Sequence, residues 1–127
     1  MIELIQRDIE LVFSSPEWTS KGIEVVPDGF ELLGEGIKFS VSYDAKAFYY
    51  GGYGVTGRMS LSIYVEAGRG QTRANEIAEG LNAVFQGKLL SPNGTQTGPS
   101  TLIWYGVDPD NHSLARAEYS LPFSKYA

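Results

Sequence analysis

GRMSLSIYVEAGRGQTRANEIAEGLNAVFQGKLL, running from Gly57 to Leu90, reads as a strand, a glycine turn and an amphipathic helix. Met59, Leu61, Ile63 and Val65 alternate with Ser60, Ser62, Tyr64 and Glu66. That period of two puts the first set on one face of a strand and the second on the other. Gly68-Arg69-Gly70 supplies the turn, because glycine takes the positive φ that a tight reversal needs. Thr72 is placed to cap the helix that follows. Ala74, Ile77, Ala78, Leu81, Val84 and Phe85 recur at steps of three and four and form one apolar stripe. Gly87 is placed to end it.

Outward from this stretch, Ile2, Ile5, Ile9 and Val12 or Phe13 fall at helical spacing and predict a first helix over residues 2–13. Ser14-Ser15-Pro16 ends it, since the residue before proline avoids the α region. Ile23 to Val26 reads as a short strand, followed by the turn Pro27-Asp28-Gly29. Ile37 to Tyr43 alternates and reads as a strand. Residues 44–57, DAKAFYYGGYGVTG, read as a loop or an extended hairpin arm. Residues 91–99 are rich in breakers and read as a polar loop. Thr101 to Val107 reads as a strand with Trp104 and Tyr105 on opposite sides. A turn at 108–111 leads to a last strand from Ser113 to Leu121, and the closing FSKYA reads as a loose tail. The order α-β-β-α-β-β, with the short strand at 23–26 as an extra before the first pair, predicts an α+β fold in two layers. Two amphipathic helices would pack on one face of a mainly antiparallel sheet of about four to five strands, as one domain over residues 1–127.

Composition narrows the function. With 127 residues, 43% hydrophobic and 20% charged, the chain has enough apolar material for one core. A net charge of −5 disfavours non-specific DNA binding, which calls for a basic face. The absence of cysteine removes disulfides, thiol nucleophiles and cysteine metal sites together. The first residues are interrupted by Glu3, Asp8 and Glu10, unlike a signal peptide. No run approaches the ~18 apolar residues of a membrane span, so no membrane partner is expected. Asn93-Gly94-Thr95 has the form of a glycosylation acceptor and reads as a polar turn.

Catalytic patterns are weak. His112 is the one histidine, lies in a polar turn beside Asp110 and Asn111, and no Gly-x-Ser-x-Gly elbow accompanies it. Asp108, Asp110 and His112 alternate as in a calcium loop, but the required glycine is missing and Tyr119 stands where the loop needs glutamate. Gly68-Arg69-Gly70 lacks the third glycine or the lysine of nucleotide-binding loops. The sequence therefore predicts no enzyme, no catalytic residue, no cofactor and no metal.

The arm is less bland. Phe48, Tyr49, Tyr50 and Tyr53 sit among Gly51, Gly52, Gly54 and Gly57. Such rings serve a buried hairpin, a single-stranded nucleic acid platform or a protein contact. Only Lys46 and Arg58 flank them, and the chain is acidic, which favours the protein contact. Arg69 and Arg73 suit an acidic partner, since guanidinium pairs well with carboxylate. The candidate interface is thus Phe48, Tyr49, Tyr50, Tyr53, Arg58, Arg69 and Arg73.

The chain resembles the tail terminator proteins of long-tailed bacteriophages, also called minor tail or tail completion proteins. The resemblance covers most of the chain in element order. It is most specific from Gly57 to Phe85, where a glycine-led strand G-x-x-S-L-S-I-x-V precedes a small-residue turn and then A-x-x-I-A-x-x-L-x-x-x-F. The helix ending near Phe13 and the PDGF turn (Pro27 to Phe30) also fit. The resemblance implies a small α+β domain that forms a homo-hexameric ring. Its implied partners are copies of itself, the tail tube protein and a head–tail connector or neck protein. The ring would end tube polymerisation and offer a surface to the connector. Its place would be the head-proximal end of the virion tail, after assembly in the host cytoplasm. DNA would pass through without specific binding, repelled by an acidic ring. A neighbouring head–tail neck or connector ring protein is the alternative, since such rings share folds and differ in which faces mate. A small ligand-binding domain is the third reading, with the aromatic arm and His112 lining a pocket.

Overall fold

The alternation in the quoted stretch becomes one buried row: Met59, Leu61, Ile63 and Val65 are each at most 1% exposed. The fold is that of a computed structural model, which describes residues 2–27, 29–32, 34–47 and 53–126. Along the chain run α1 (Ile2–Ser14), α2 (Pro16–Thr19), β1 (Glu24–Pro27), β2 (Gly36–Ala47) and β3 (Tyr53–Glu66). They are followed by α3 (Gly70–Phe85), β4 (Leu89–Leu90), β5 (Thr95–Thr97), β6 (Thr101–Val107) and β7 (Leu114–Tyr126).

β3 is the centre of the sheet. It pairs antiparallel with β2 on one side and with β7 on the other. The far edge of β7 is shared. β6 takes Ala115 to Ser120, and β5 takes Phe123 and Ser124. Pro122 falls between the two partners, where its missing N–H costs no bond to either. β4 pairs with β5, and β1 lies parallel to β2 at the opposite edge.

This sheet corrects the expected architecture. Among the described residues, the expected two-layer α+β domain of four to five mainly antiparallel strands and two helices is replaced by a seven-stranded mixed sheet, curled into a half-barrel, with three helices. β1 is the parallel member, and its four residues show no clean alternation of exposure. β4 and β5, of two and three residues, are too short to register as a periodic pattern. α2 is a single turn started by Pro16, whose fixed φ suits a first helical position. The tail expected to be loose is strand, paired to β3 as far as Tyr126.

The helices supply the rest of the core. Ala74, Ile77, Ala78, Leu81 and Phe85 of α3 are buried, joined by Ile5 and Ile9 of α1 and by Trp18 of α2. Phe13 sits at the junction, with ring centroids 5.5 Å from Trp18, 5.9 Å from Phe39 and 5.0 Å from Phe85. α3 starts at Gly70, with Arg69 at the cap position and no side-chain cap, so Thr72 does not cap it. Gly87, just past the helix, has φ +63°, the left-handed geometry expected there.

Two polar groups are wholly inside. Asp8 and Thr95 are both 0% exposed, and the carboxylate oxygens of Asp8 accept from Asn93, in the turn before β5, and from Thr95, at its start. Tyr119 is also buried, and its hydroxyl donates to Asn82 Oδ1 at 2.7 Å. Burial pushes the Tyr119 hydroxyl above its ordinary value of 10.0, against an opposing hydrogen bond with Ser100. The unfolded chain therefore loses this proton first as pH rises. The tyrosine's contribution is complete below about pH 10 and is lost as pH climbs from there through the raised folded value. Denaturation curves above pH 10 should fall more steeply for the native chain than for Tyr119→Phe. Equal slopes would contradict this.

Candidate functional site

Strands β2 and β3 run on together as a hairpin, pairing Asp44 with Thr56 and Ala47 with Tyr53. Of the two readings for residues 44–57, the extended hairpin is the one found at 44–47 and 53–57. Phe48, Tyr49 and Tyr50 lie outside the described residues. Tyr53 enters as the first backbone position of β3.

Arg58 projects from the outward face of β3, exposed, and its Nη1 donates to Ser120 Oγ on β7 at 2.8 Å. It lines an open groove with Ser42, Thr56, Gly57, Pro122 and Ser124. Cross-strand register extends this face in rows. One row runs Lys38, Ser62, Glu118, Ile103, and the next runs Ser40, Ser60, Ser120, Thr101. The outward sheet face is therefore largely hydroxyl-bearing.

β6 is different. Its exposure alternates strictly, leaving Ile103 at 53%, Tyr105 at 54% and Val107 at 57%. Trp104 packs toward the core while Tyr105 faces out, as the sequence predicts. An irregularity between Trp104 and Gly106 offsets Tyr105, and Gly106 takes φ +85°. Arg116 lies 4.9 Å over the Tyr105 ring, whose hydroxyl donates to Glu118 at 3.2 Å. An uncharged, apolar, outward row on an edge strand is a candidate contact surface. Sequence reading recognised this strand but not that it lies at an edge. The missing signal was the register of β6 on β7.

Arg69 and Arg73 do come together, at the far end of β3. Both guanidinium groups reach Glu35 Oε1, at 3.2 and 3.3 Å, and Arg73 also meets Glu76 at 3.2 Å. The backbone N–H of Glu66 donates to the other Glu35 oxygen. Glu35 thus ties the start of α3 to the loop before β2. Arg69 is half-exposed, so solvent screens much of this attraction. Glu35→Gln should lower stability by less than ~1 kcal/mol, read as a small shift in urea midpoint. A large loss would mean the tie organises the whole loop.

His112 is exposed on the turn from β6 to β7, near exposed Asp110 and half-buried Asp108. Among the described residues, no three His, Cys, Asp or Glu side chains gather in a way that would hold a metal ion.

No family model matches the chain, and no curated protein matches it by sequence. Solved structures share its fold, and two of them are as follows. One, whose name describes no function, superposes with a TM-score of 0.65 at 14% identity, over 98% of this chain and 94% of its own. The other belongs to the virion of a native gene transfer agent particle. It superposes with a TM-score of 0.61 at 14% identity, over 91% of this chain and 92% of that one. Identity this low establishes a common fold.

Proposed function

We propose that this chain is a structural protein of a phage-type virion. It would assemble with copies of itself into a ring at the end of the tail tube. The observation that carries this reading is the likeness to a virion chain over 91% of this chain and 92% of that one, so both consist almost wholly of the shared fold. The glycine-led strand and stripe from Gly57 to Phe85 add the finer terminator reading, with a hexameric ring, a tube face and a connector face. A closed ring needs two different complementary patches on each subunit. The uncharged outward row of β6 supplies one surface of that kind.

The test is to add the purified chain to polymerising tail tube protein and measure tube lengths by electron microscopy. A terminator shortens the tubes and leaves added density at one end. Binding to tube ends without shortening would assign the neighbouring neck ring instead. No binding would remove the tail from the reading.

A further inference from the structure

We infer that copies of this chain join edge to edge. The free edge of β6 in one copy pairs with the free edge of β2, over Ser40–Ala47, in the next. The inference rests on the ring reading for its occupant, a second copy, and adds the surfaces that mate.

Both edges are open among the described residues. β1 covers β2 only from Gly36 to Phe39, which leaves 40–47 with a partner on one side. β6 pairs with β7 alone. Outside the sheet ladders, no backbone hydrogen bond reaches residues 40–47 or 101–107. The two edges are of similar length, with β6 seven residues long.

Strand direction makes them compatible. β2, β3, β7 and β6 are successive antiparallel neighbours, so β2 and β6 run in opposite senses. A rotation about an axis along the strands brings β6 of one copy beside β2 of the next, already antiparallel. The sheet then continues from subunit to subunit with its faces preserved. Ile103 and Val107 gain cross-strand neighbours from the row of Ser40 and Ser42. Leu102 and Trp104, which pack on the core, meet the row of Val41. Pairing β6 with itself would instead be a two-fold contact that stops at a dimer.

The composition of β6 supports a covered edge. Exposed edge strands are usually protected by charges, proline or bulges. TLIWYGV carries no charge and no proline, only the irregularity at Tyr105. Left open, such a segment is an aggregation hazard.

Cysteine cross-linking tests this without background, because the chain has none of its own. Ile103→Cys and Ser42→Cys are made singly and together in the full chain and treated with a short bis-maleimide. Mixed single variants should give dimers containing one of each, and the double variant a ladder that ends at the ring number. Neither single variant should link alone. Ile103→Lys should raise the concentration for half-assembly by roughly ten-fold or more while leaving circular dichroism unchanged. Linking by Ile103→Cys alone would overturn the inference in favour of two-fold pairing. Rings seen by light scattering, with no link in the double variant, would overturn it and leave the ring reading standing. A monomer that never links, even with tail tube present, would overturn both.

Discussion

Asp8→Ala is expected to lower the unfolding free energy by about 3 kcal/mol, read from the urea midpoint at unchanged slope. The carboxylate is 0% exposed and sits on α1, far in sequence from its partners. Oδ1 accepts from the Asn93 backbone N–H and from Asn93 Nδ2, both at 3.0 Å. Oδ2 accepts from the Thr95 backbone N–H at 3.1 Å and the Thr95 hydroxyl at 2.7 Å. Four donors therefore converge on one side chain, and two are backbone groups. Removing the acceptor leaves buried donors without a partner, and each then costs its desolvation. The turn between β4 and β5 would lose its tie to α1. Lys125, which donates to the Asn93 carbonyl, would lose a fixed target. Asp8→Asn should cost less, since it keeps one acceptor oxygen and the side chain's shape. Thr95→Val combined with Asp8→Ala should cost less than the sum of the two, because they share one bond. A loss below about 1 kcal/mol for Asp8→Ala would contradict this account.

Gly57→Ala is expected to cost about 3 kcal/mol and to lower the melting temperature by roughly 10 °C. Gly57 lies on β3 opposite both Tyr43 of β2 and Phe123 of β7. A Cβ there would overlap the Ser42 carbonyl oxygen and stand 2.6 Å from Phe123 Cζ. Neither neighbour is free to yield. Ser42 belongs to the ladder beside it, paired with Arg58, and Phe123 is a core ring only 5% exposed. The aromatic ring occupies the space that the missing side chain leaves, an arrangement that stabilises glycine within sheets. Phe123→Leu should relieve only part of the damage in Gly57→Ala, because the clash with the backbone oxygen persists. A melting temperature within about 2 °C of the native value would refute the crowding argument.

These two positions show where the sequence was legible. The alternation from Met59 to Val65 and the stripe from Ala74 to Phe85 are read from local spacing, because each element shows its buried face through its own period. Asp8 was legible only as an acidic interruption of the first helix. Its burial depends on donors at 93 and 95, and no local period encodes a partner that distant. The polar loop at 91–99 misled for the same reason, since Thr95 and Asn93 are polar in order to meet that carboxylate.

Besides the short β4 and β5, the sheet departs from the expected one in three respects. The last strand was expected to end at Leu121, yet β7 continues through Pro122 because the proline falls in a gap between neighbours. β1 is parallel to β2, where mainly antiparallel pairing was expected. Residues 44–57 read as a loop or an extended hairpin arm, and at 44–47 and 53–57 it is the hairpin that forms, with β2 paired to β3 and β3 also to the end of β7. Of the candidate interface, Arg69 and Arg73, expected to suit an acidic partner, meet carboxylates of this chain itself, Glu35 and Glu76. The uncharged residues of β6 are plain in the sequence, but that they lie on an edge depends on the pairing of β6 with β7.

The proposed role requires this chain to close into a ring with copies of itself. Its most direct test is the solution mass by light scattering across a concentration series, with and without tail tube protein, with particles imaged by negative stain. The account predicts one discrete closed oligomer with a central hole, of the same size at every concentration where it forms. A chain that remains monomeric throughout the series, including with the tube present, would contradict it.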